Sequence, residues 1–237
     1  MSVTTRVRRV LRARRERSLP PLHFLHIGKT GGTAIRHAVG QWPSNRYRVE
    51  VHGHGVPMHE IPVGEPFFFV VREPIGRFVS GFNSRLREGL PRYDVPWSDG
   101  EAIAFARFPT PGTLARALSS ADDDERFAAH AAMGAIKHVS TSYRDWFGDA
   151  DALRARLDDV FFIGFQSQLD ADFVELKALL GLPAQAALPD DDIAAHRSPP
   201  APRDLDDLAE RNLGEWYADD VGFVATCHEL RATISAR

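Results

Sequence analysis

Short apolar runs alternate with helical repeats along most of the chain. Four segments are predicted as strands, and they are 23–27, 46–51, 66–71 and 160–165. The run PFFFVV at 66–71 is apolar throughout, which is typical of a strand buried on both faces of a parallel sheet. Three segments have the apolar spacing of an amphipathic helix: 33–42, the residues that follow Pro74, and 169–182. This alternation predicts an α/β fold with a central parallel sheet flanked by helices.

The second half of the chain departs from the alternation. Residues 98–147 are helical by composition and spacing and predict a helical insert, and 203–235 predict a helical C-terminus. Residues 184–202 are rich in Pro, Ala and Asp and predict a loop. Because no internal repeat or linker divides the chain, we expect one domain over 21–237, preceded by a basic tail at 1–20.

The N-terminal tail carries seven arginines in its first 19 residues. It lacks the apolar run of a secretory signal, and no run of 18 or more apolar residues elsewhere predicts a membrane span. Three interpretations remain open: a solvated tail, a basic arm that touches anionic lipid, glycan or RNA, and an arginine-rich leader of the mitochondrial type.

Composition narrows the functional classes. The 237 residues hold 29 Lys plus Arg and 32 Asp plus Glu, a net charge of −3, so a generally basic nucleic-acid binder is excluded as the first hypothesis. The single cysteine, Cys227, permits no internal disulfide and fits a reducing compartment, so we expect a cytoplasmic protein. Only three cations are lysines: Lys29, Lys137 and Lys177.

A glycine-rich loop follows the first predicted strand, in the sequence GKTGGTA. In α/β folds ligands bind beyond the carboxyl ends of the strands, which is where this loop falls. Its glycines allow a tight turn and a close ligand approach, and the start of the next helix favours an anion. Lys29 adds a charge, and Thr30 and Thr33 add hydroxyl donors. The alternative is a glycine-rich turn with no ligand, but a lysine retained in an arginine-rich chain favours function.

This loop does not match the nucleotide P-loop pattern GxxxxGK[ST]. That pattern requires a glycine at position 23, which is His23 here. A magnesium-dependent kinase would also need an aspartate at the end of a buried strand. The predicted strands end instead in Arg72-Glu73 and Gln166-Ser167. The loop is therefore expected to hold an anion without a metal ion.

A second segment, PFFFVVREPIGRFVSGF, places Arg72 at the tip of a buried strand and Ser80 in the helix that follows. Both are expected to face the crevice of the glycine loop. Arginine binds phosphate through two parallel hydrogen bonds, which lysine cannot do. The alternative is a surface ion pair between Arg72 and Glu73 or Glu65.

FLHIGKTGGTAI followed by VVREPIGRFVSGF resembles the sulfotransferases that use 3′-phosphoadenosine-5′-phosphosulfate (PAPS). The resemblance implies a P-loop-like sheet, PAPS as co-substrate, and no metal ion. The loop that would hold the 5′-phosphosulfate comprises Lys29, Thr30, Gly31, Gly32, Thr33 and Ala34. Arg72 and Ser80 would hold the 3′-phosphate, and Arg197, in a late basic segment, would cover the nucleotide. Gly28 and Gly32 stand where this family commonly has proline and serine.

Two histidines, His52 and His54, follow the second predicted strand in the segment EVHGHGVPMHE. Alternate strand residues point the same way, so both rings are expected to face one site. Three interpretations compete: a structural pair, a metal site completed by His59 and Glu60, and a general base, a role that suits a side chain whose pKa lies near 6.5.

The segment VHGH resembles the YHGH-type segment of the glycan uronyl 2-O-sulfotransferases. The resemblance implies that His54 is the general base, that His52 assists it or binds the acceptor, and that Lys29 stabilises the leaving phosphate. We therefore expect sulfuryl transfer to a hydroxyl of a carbohydrate acceptor, a glycan or glycolipid. The alternatives are an ATP- and magnesium-dependent phosphotransferase and a catalytically silent module that binds anions or glycans.

The sequence indicates less clearly which residues would bind the acceptor. Arg85, Arg87 and Arg92 follow the second motif, and each is interpreted as either solvated or bound to an anionic sugar. The helical insert is expected to set acceptor specificity because it interrupts the α/β alternation.

Overall fold

The computed structural model describes residues 18–191 and 204–236, and within them a parallel sheet forms the centre of one α/β domain. Its strands are β1 (Pro21–Leu25), β2 (Arg48–Val51), β3 (Phe67–Val71) and β4 (Val160–Phe165). Neighbouring strands are parallel, in the order β2-β1-β3-β4. The four predicted strands are confirmed. β1 begins earlier than predicted because Pro21 pairs in register with Arg48.

Helices cover the sheet and form the predicted insert and C-terminus. Those near the sheet in the first half are α1 (Gly32–Gln41) and α2 (Pro74–Leu86). The insert contains α3 (Asp99–Arg107), α4 (Pro111–Ala117), α5 (Asp123–Ala135) and α6 (Arg144–Phe147). The remaining helices are α7 (Ala150–Ala155), α8 (Leu169–Leu180), α9 (Asp207–Trp216) and α10 (Ala218–Ser235). Short 3-10 turns lie at Met58–Glu60, Leu157–Asp159 and Gln166–Gln168.

Strand β3 is buried on both faces, as its apolar run predicts. Phe67, Phe69 and Val71 pack into a cluster with residues of α6 and α10. Phe68 and Val70 pack on the opposite face with residues of α1 and α8. Successive strand residues point to opposite faces, so an all-apolar strand requires helices on both sides of the sheet.

A third apolar cluster joins the insert to the sheet domain. Phe78 and Phe82 of α2 pack against residues of α3, α4, α5 and α9. Because α2 begins directly after β3, this packing holds the insert beside the carboxyl edge of the sheet. The insert is therefore positioned to contribute side chains to any site at that edge.

The strand order opens a crevice at this edge. β2 and β3 lie on opposite sides of β1, so the connections that leave β1 and β3 diverge. In open parallel sheets ligands bind at such a reversal of strand order. The glycine loop leaves β1 here, and the segment that contains Arg72 leaves β3 here.

Three predictions fall wholly or mostly outside the described residues: the basic tail, the loop at 184–202, and Arg197. Within residues 18–191 and 204–236, no helix is both long and apolar enough to cross a membrane.

Candidate functional site

A crevice of about 1170 Å³ lies at the carboxyl edge of the sheet. Its walls are the glycine loop, the middle and end of α2, the loop between α5 and α6, and the start of α8. The residues expected at the site that line it are Lys29, Gly31, Gly32, Thr33, Ala34, His54, Arg72 and Ser80. The structure thus brings together most of the side chains selected from the sequence.

The glycine loop approaches the sheet closely. A Cβ atom on Gly32 would overlap with Cδ2 of His26 and would lie 3.2 Å from the ring of Phe24. Only glycine fits at this position without movement of buried side chains. Gly31, with φ 87°, precedes α1 and offers no side-chain oxygen to the first N–H groups of the helix. Those N–H groups and the helix dipole favour a bound anion.

Lys29 contributes a positive charge from a strained position, with φ 68°. Burial lowers its pKa to about 8, and the guanidinium groups of Arg72 and Arg87 add to the shift. The ammonium group is therefore largely charged at neutral pH, and its charge is lost as the pH rises through about 8. A cation in a partly dry crevice attracts an anion more strongly than one in water.

Arg72 links the two motif segments. Its Nη1 donates a hydrogen bond to the carbonyl oxygen of Lys29, at 3.3 Å. Glu65, one of the two suggested ion-pair partners, bonds instead to His23, with 2.6 Å between Oε2 and Nε2. The guanidinium of Arg72 lies in the crevice wall beside the glycine loop.

Tyr143 holds the backbone of Arg72 through two hydrogen bonds. Its hydroxyl accepts a hydrogen bond from the Arg72 N–H and donates one to the Arg72 carbonyl, each at 2.7 Å. The Tyr143 side chain is fully buried. Burial also raises the pKa of its hydroxyl, which keeps the group protonated and able to donate. A residue of the insert therefore sets where β3 ends.

Replacing Tyr143 with phenylalanine is expected to lower the free energy of unfolding by about 1–3 kcal/mol, because the partly buried N–H and carbonyl of Arg72 both lose the hydroxyl. The matched control is Tyr217→Phe, since Tyr217 is also buried and its hydroxyl donates to the Val139 carbonyl, whereas the Tyr143 hydroxyl both donates and accepts. Urea denaturation followed by circular dichroism measures both. An equal loss of unfolding free energy in the two variants would contradict a special role of the Tyr143 hydroxyl in holding the Arg72 backbone.

His54 has a defined tautomer. Its Nδ1 lies 2.7 Å from the carbonyl oxygen of His26. A carbonyl oxygen only accepts, so Nδ1 carries the proton, and Nε2 of the neutral ring carries the lone pair. The indole N–H of Trp146 donates to the His54 carbonyl at 2.6 Å and fixes the backbone. Trp146 thus packs in the core and also positions His54.

The environment keeps His54 neutral. The residue is exposed overall, but its ring lies 4.1 Å from that of His26 between centroids, so the ring is partly withdrawn from water. This desolvation lowers its pKa below the ordinary value, and the nearby charges of Arg36, Lys29 and Lys137 lower it further, against the opposing bond to His26. A neutral ring with a free lone pair suits a general base.

The expectation that His52 and His54 face one site is wrong. His52 Nε2 lies 2.9 Å from Nδ1 of His23, and the two rings stack at 5.1 Å. β2 ends at Val51, so the alternation of strand side chains no longer applies to these residues. Among residues 18–191 and 204–236, no group of three or more His, Cys, Asp or Glu side chains is placed to hold a metal ion. The structure therefore does not assemble the suggested site of His52, His54 and His59.

Thr30 also departs from its expected role. Its side chain is buried, and its hydroxyl donates to the carbonyl of Ile27 at 3.0 Å. That hydroxyl closes the turn of the loop and is not presented to a ligand. Thr33 and Ser80, the other two hydroxyl residues selected from the sequence, do line the crevice.

Arg85 is neither solvated nor a free ligand for an anionic sugar. It is buried and forms two hydrogen bonds with Glu101, at 2.7 and 2.8 Å. Burial opposes ionisation of Glu101, but hydrogen bonds from Arg85, Ser98 and Lys137 outweigh it and lower the pKa to about 2. This ion pair ties α2 to the insert, and sequence spacing does not reveal it.

Lys137 and His138 are among the crevice residues that were not predicted from the sequence. One signal for Lys137 was present, because it is one of only three lysines and shares the crevice with Lys29. His138 gave no local signal, since a histidine near the end of a helical segment is unremarkable in sequence. Both reach the crevice because the insert packs on α2.

The crevice thus combines cations, hydroxyl donors and a neutral imidazole. Lys29 and Arg72 can hold a compact polyanion, and Nε2 of His54 can accept a proton from a group bound beside it. Comparison of the chain with protein-family models, with curated proteins and with solved structures found no match.

Proposed function

We propose that the protein is a sulfotransferase with a P-loop-like fold that transfers the sulfuryl group of PAPS to a hydroxyl of a carbohydrate acceptor. One observation carries the proposal. The hydrogen bond from Arg72 to Lys29 joins the two motif segments in one crevice, and His54 lies in the same crevice with Nδ1 protonated. Anion-binding and proton-accepting groups therefore meet in one place.

The residues present fit PAPS. Lys29 and Arg72 supply positive charge, and Thr33 and Ser80 supply hydroxyl donors at the crevice wall. Typical ligand pockets enclose about 300–1,000 Å³. A crevice of about 1170 Å³ has space for a nucleotide and part of an acceptor.

In this mechanism PAPS supplies a sulfuryl group attached to a phosphate leaving group. Nε2 of His54 accepts the proton of the acceptor hydroxyl as its oxygen bonds to sulfur. The bond from sulfur to the bridging oxygen breaks, and its electron pair leaves with the 5′-phosphate. Lys29 and the N–H groups at the start of α1 stabilise the charge that grows there, as in phosphoryl transfer. Arg72 and Ser80 hold the 3′-phosphate.

The alternative phosphotransferase lacks support at the strand ends. β3 is followed by Arg72 and the exposed Glu73, and β4 by Gln166, so neither strand ends in an aspartate that would hold magnesium. A catalytically silent binding module would share the crevice but lack turnover, so the transfer assay below distinguishes it from a sulfotransferase.

Adenosine 3′,5′-bisphosphate is expected to raise the melting temperature without added metal. A hundredfold excess over Kd stabilises the folded state by about 2.7 kcal/mol, which corresponds to roughly 5–11 °C for a domain of this size. Adenosine 2′,5′-bisphosphate has the same charge and is the matched control. An equal shift with the 2′,5′ isomer would indicate non-specific anion binding, and a shift by ATP that requires magnesium would favour the phosphotransferase.

Transfer itself is tested with radiolabelled PAPS and a panel of glycans and glycolipids. Labelled product is expected from at least one hydroxyl acceptor. Binding of the bisphosphate without product from any acceptor would favour the silent module.

A further inference from the structure

The loop between α5 and α6 enters the crevice beside the glycine loop. Lys137, His138 and Thr141 of this loop line the crevice. His138 has φ 71°, a left-handed conformation that residues other than glycine rarely adopt. Residues held in such conformations concentrate at functional sites, where the surrounding structure imposes them.

The surroundings of His138 do impose this conformation. Three interactions fix the loop, and they join the Lys137 N–H to Glu101, the Tyr217 hydroxyl to the Val139 carbonyl, and Arg77 to the Thr141 carbonyl. Glu101 and Arg77 are both buried. The loop is therefore held by hydrogen bonds on both sides of His138.

His138 touches both anion-binding segments. A Cβ atom on Gly28, at the start of the glycine loop, would lie 3.3 Å from Nδ1 of His138. A Cβ atom on Gly81, one residue after Ser80, would lie 3.2 Å from Cβ of His138. The ring of His138 also meets that of His54 edge to face, with 6.4 Å between centroids. The absence of side chains at the two glycines makes room for the imidazole between the segments.

The imidazole of His138 is uncharged in the working range of pH. Burial lowers its pKa to about 3, and the nearby Lys29, His54, Lys137 and Arg77 add to the shift. One ring nitrogen of a neutral imidazole is a hydrogen-bond donor. Such a donor can stabilise growing negative charge without competing for the proton that a base removes, and neutral histidines serve this purpose in other enzymes.

We propose that His138 is a further catalytic residue, a neutral hydrogen-bond donor to the sulfuryl group transferred above the glycine loop. This inference rests on the proposed function. In the transfer step the bond from the acceptor oxygen to sulfur forms, the bond from sulfur to the 5′-phosphate oxygen breaks, and the acceptor proton passes to Nε2 of His54. His138 neither gains nor loses a proton. Its donor faces the sulfuryl oxygens, while Lys29 stabilises the leaving phosphate.

The test is the variant His138→Gly, which removes the ring and relieves the left-handed strain, so that folding is not endangered. We expect kcat to fall roughly 10²–10³-fold, as for loss of one donor to a developing negative charge. The dissociation constant of adenosine 3′,5′-bisphosphate, which lacks the sulfuryl group, should change less than about threefold. Added imidazole should restore part of the turnover of the variant and should leave the turnover of the wild type unchanged.

Two further variants sharpen the result. His138→Asn keeps an N–H donor and tolerates a positive φ, so it should retain more activity than His138→Gly. His130→Ala, on α5 and outside the residues that line the crevice, is the control and should keep wild-type turnover.

Wild-type kcat in His138→Gly would overturn the inference. A loss that imidazole does not restore, with an equal loss of bisphosphate affinity, would also overturn it, because that pattern marks a structural role. Wild-type protein that binds the bisphosphate but produces no labelled product would instead refute the proposed function, and the role of His138 would fall with it.

Discussion

His54→Asn is expected to lower kcat by roughly 10²–10⁴-fold, the usual effect of losing a general base. The asparagine amide can replace Nδ1 as a donor to the His26 carbonyl, but it has no basic nitrogen in place of Nε2. The main-chain bond from Trp146 to residue 54 is kept, so the fold should be unchanged. Affinity for adenosine 3′,5′-bisphosphate should also be unchanged, which titration calorimetry can measure.

The pH dependence of kcat/KM tests the role of His54 independently. Protonated His54 cannot accept the acceptor proton, so kcat/KM falls as the pH falls through its pKa. Because that pKa is lowered, the loss should lie below pH 6.5. His54→Asn should lose this acidic limb. His59→Asn, at an exposed histidine outside the residues that line the crevice, is the control and should keep it. Near-normal turnover in His54→Asn would remove this residue from the proton transfer.

Lys29→Ala is expected to lower kcat/KM by roughly 10²–10³-fold, as for removal of one group that stabilises developing negative charge. It should also weaken binding of the bisphosphate, because the crevice loses a partly buried cation. The combination separates Lys29 from His54, whose replacement should affect turnover alone. Steady-state kinetics and calorimetry on the two variants measure the difference, and unchanged kinetics in Lys29→Ala would exclude the lysine from the mechanism.

Lys29→Arg tests the charge itself. With the pKa of Lys29 at about 8, kcat/KM of the wild type should fall as the pH rises above about 8, because the ammonium group loses its charge. Arginine stays protonated far above this range. If the charge is what matters, the basic limb should move to higher pH in Lys29→Arg even where the absolute rate is lower. A basic limb that stays in place would assign it to another group.

The sheet and its loops could be predicted well from the sequence. The all-apolar run at 66–71 required a strand covered on both faces, and β3 is buried in this way. The glycine loop and Arg72 were predicted to meet because each follows a parallel strand. Their hydrogen bond follows from the strand order, in which β1 and β3 are neighbours.

Other parts of the site could not be predicted because they depend on contacts between distant segments. Thr30 has the right residue type for a ligand, but its hydroxyl bonds within the loop. His52 and His54 are two residues apart, yet the ring of one packs on His23 and that of the other on His26. Periodicity describes a strand only while the strand lasts, and β2 ends just before this pair.

Local properties of the chain, namely strand and helix periodicity and the spacing of glycines, were enough to predict the α/β class, the parallel sheet and the glycine loop with Lys29. Three features follow only from packing between distant segments: which histidine faces the crevice, the pairing of Arg85 with Glu101, and the position of His138 between Gly28 and Gly81. The histidine outcome depends on contacts with the β1 region, and the other two depend on how the helical insert packs on α2. That packing brings residues far apart in sequence within hydrogen-bonding distance, which no local pattern encodes.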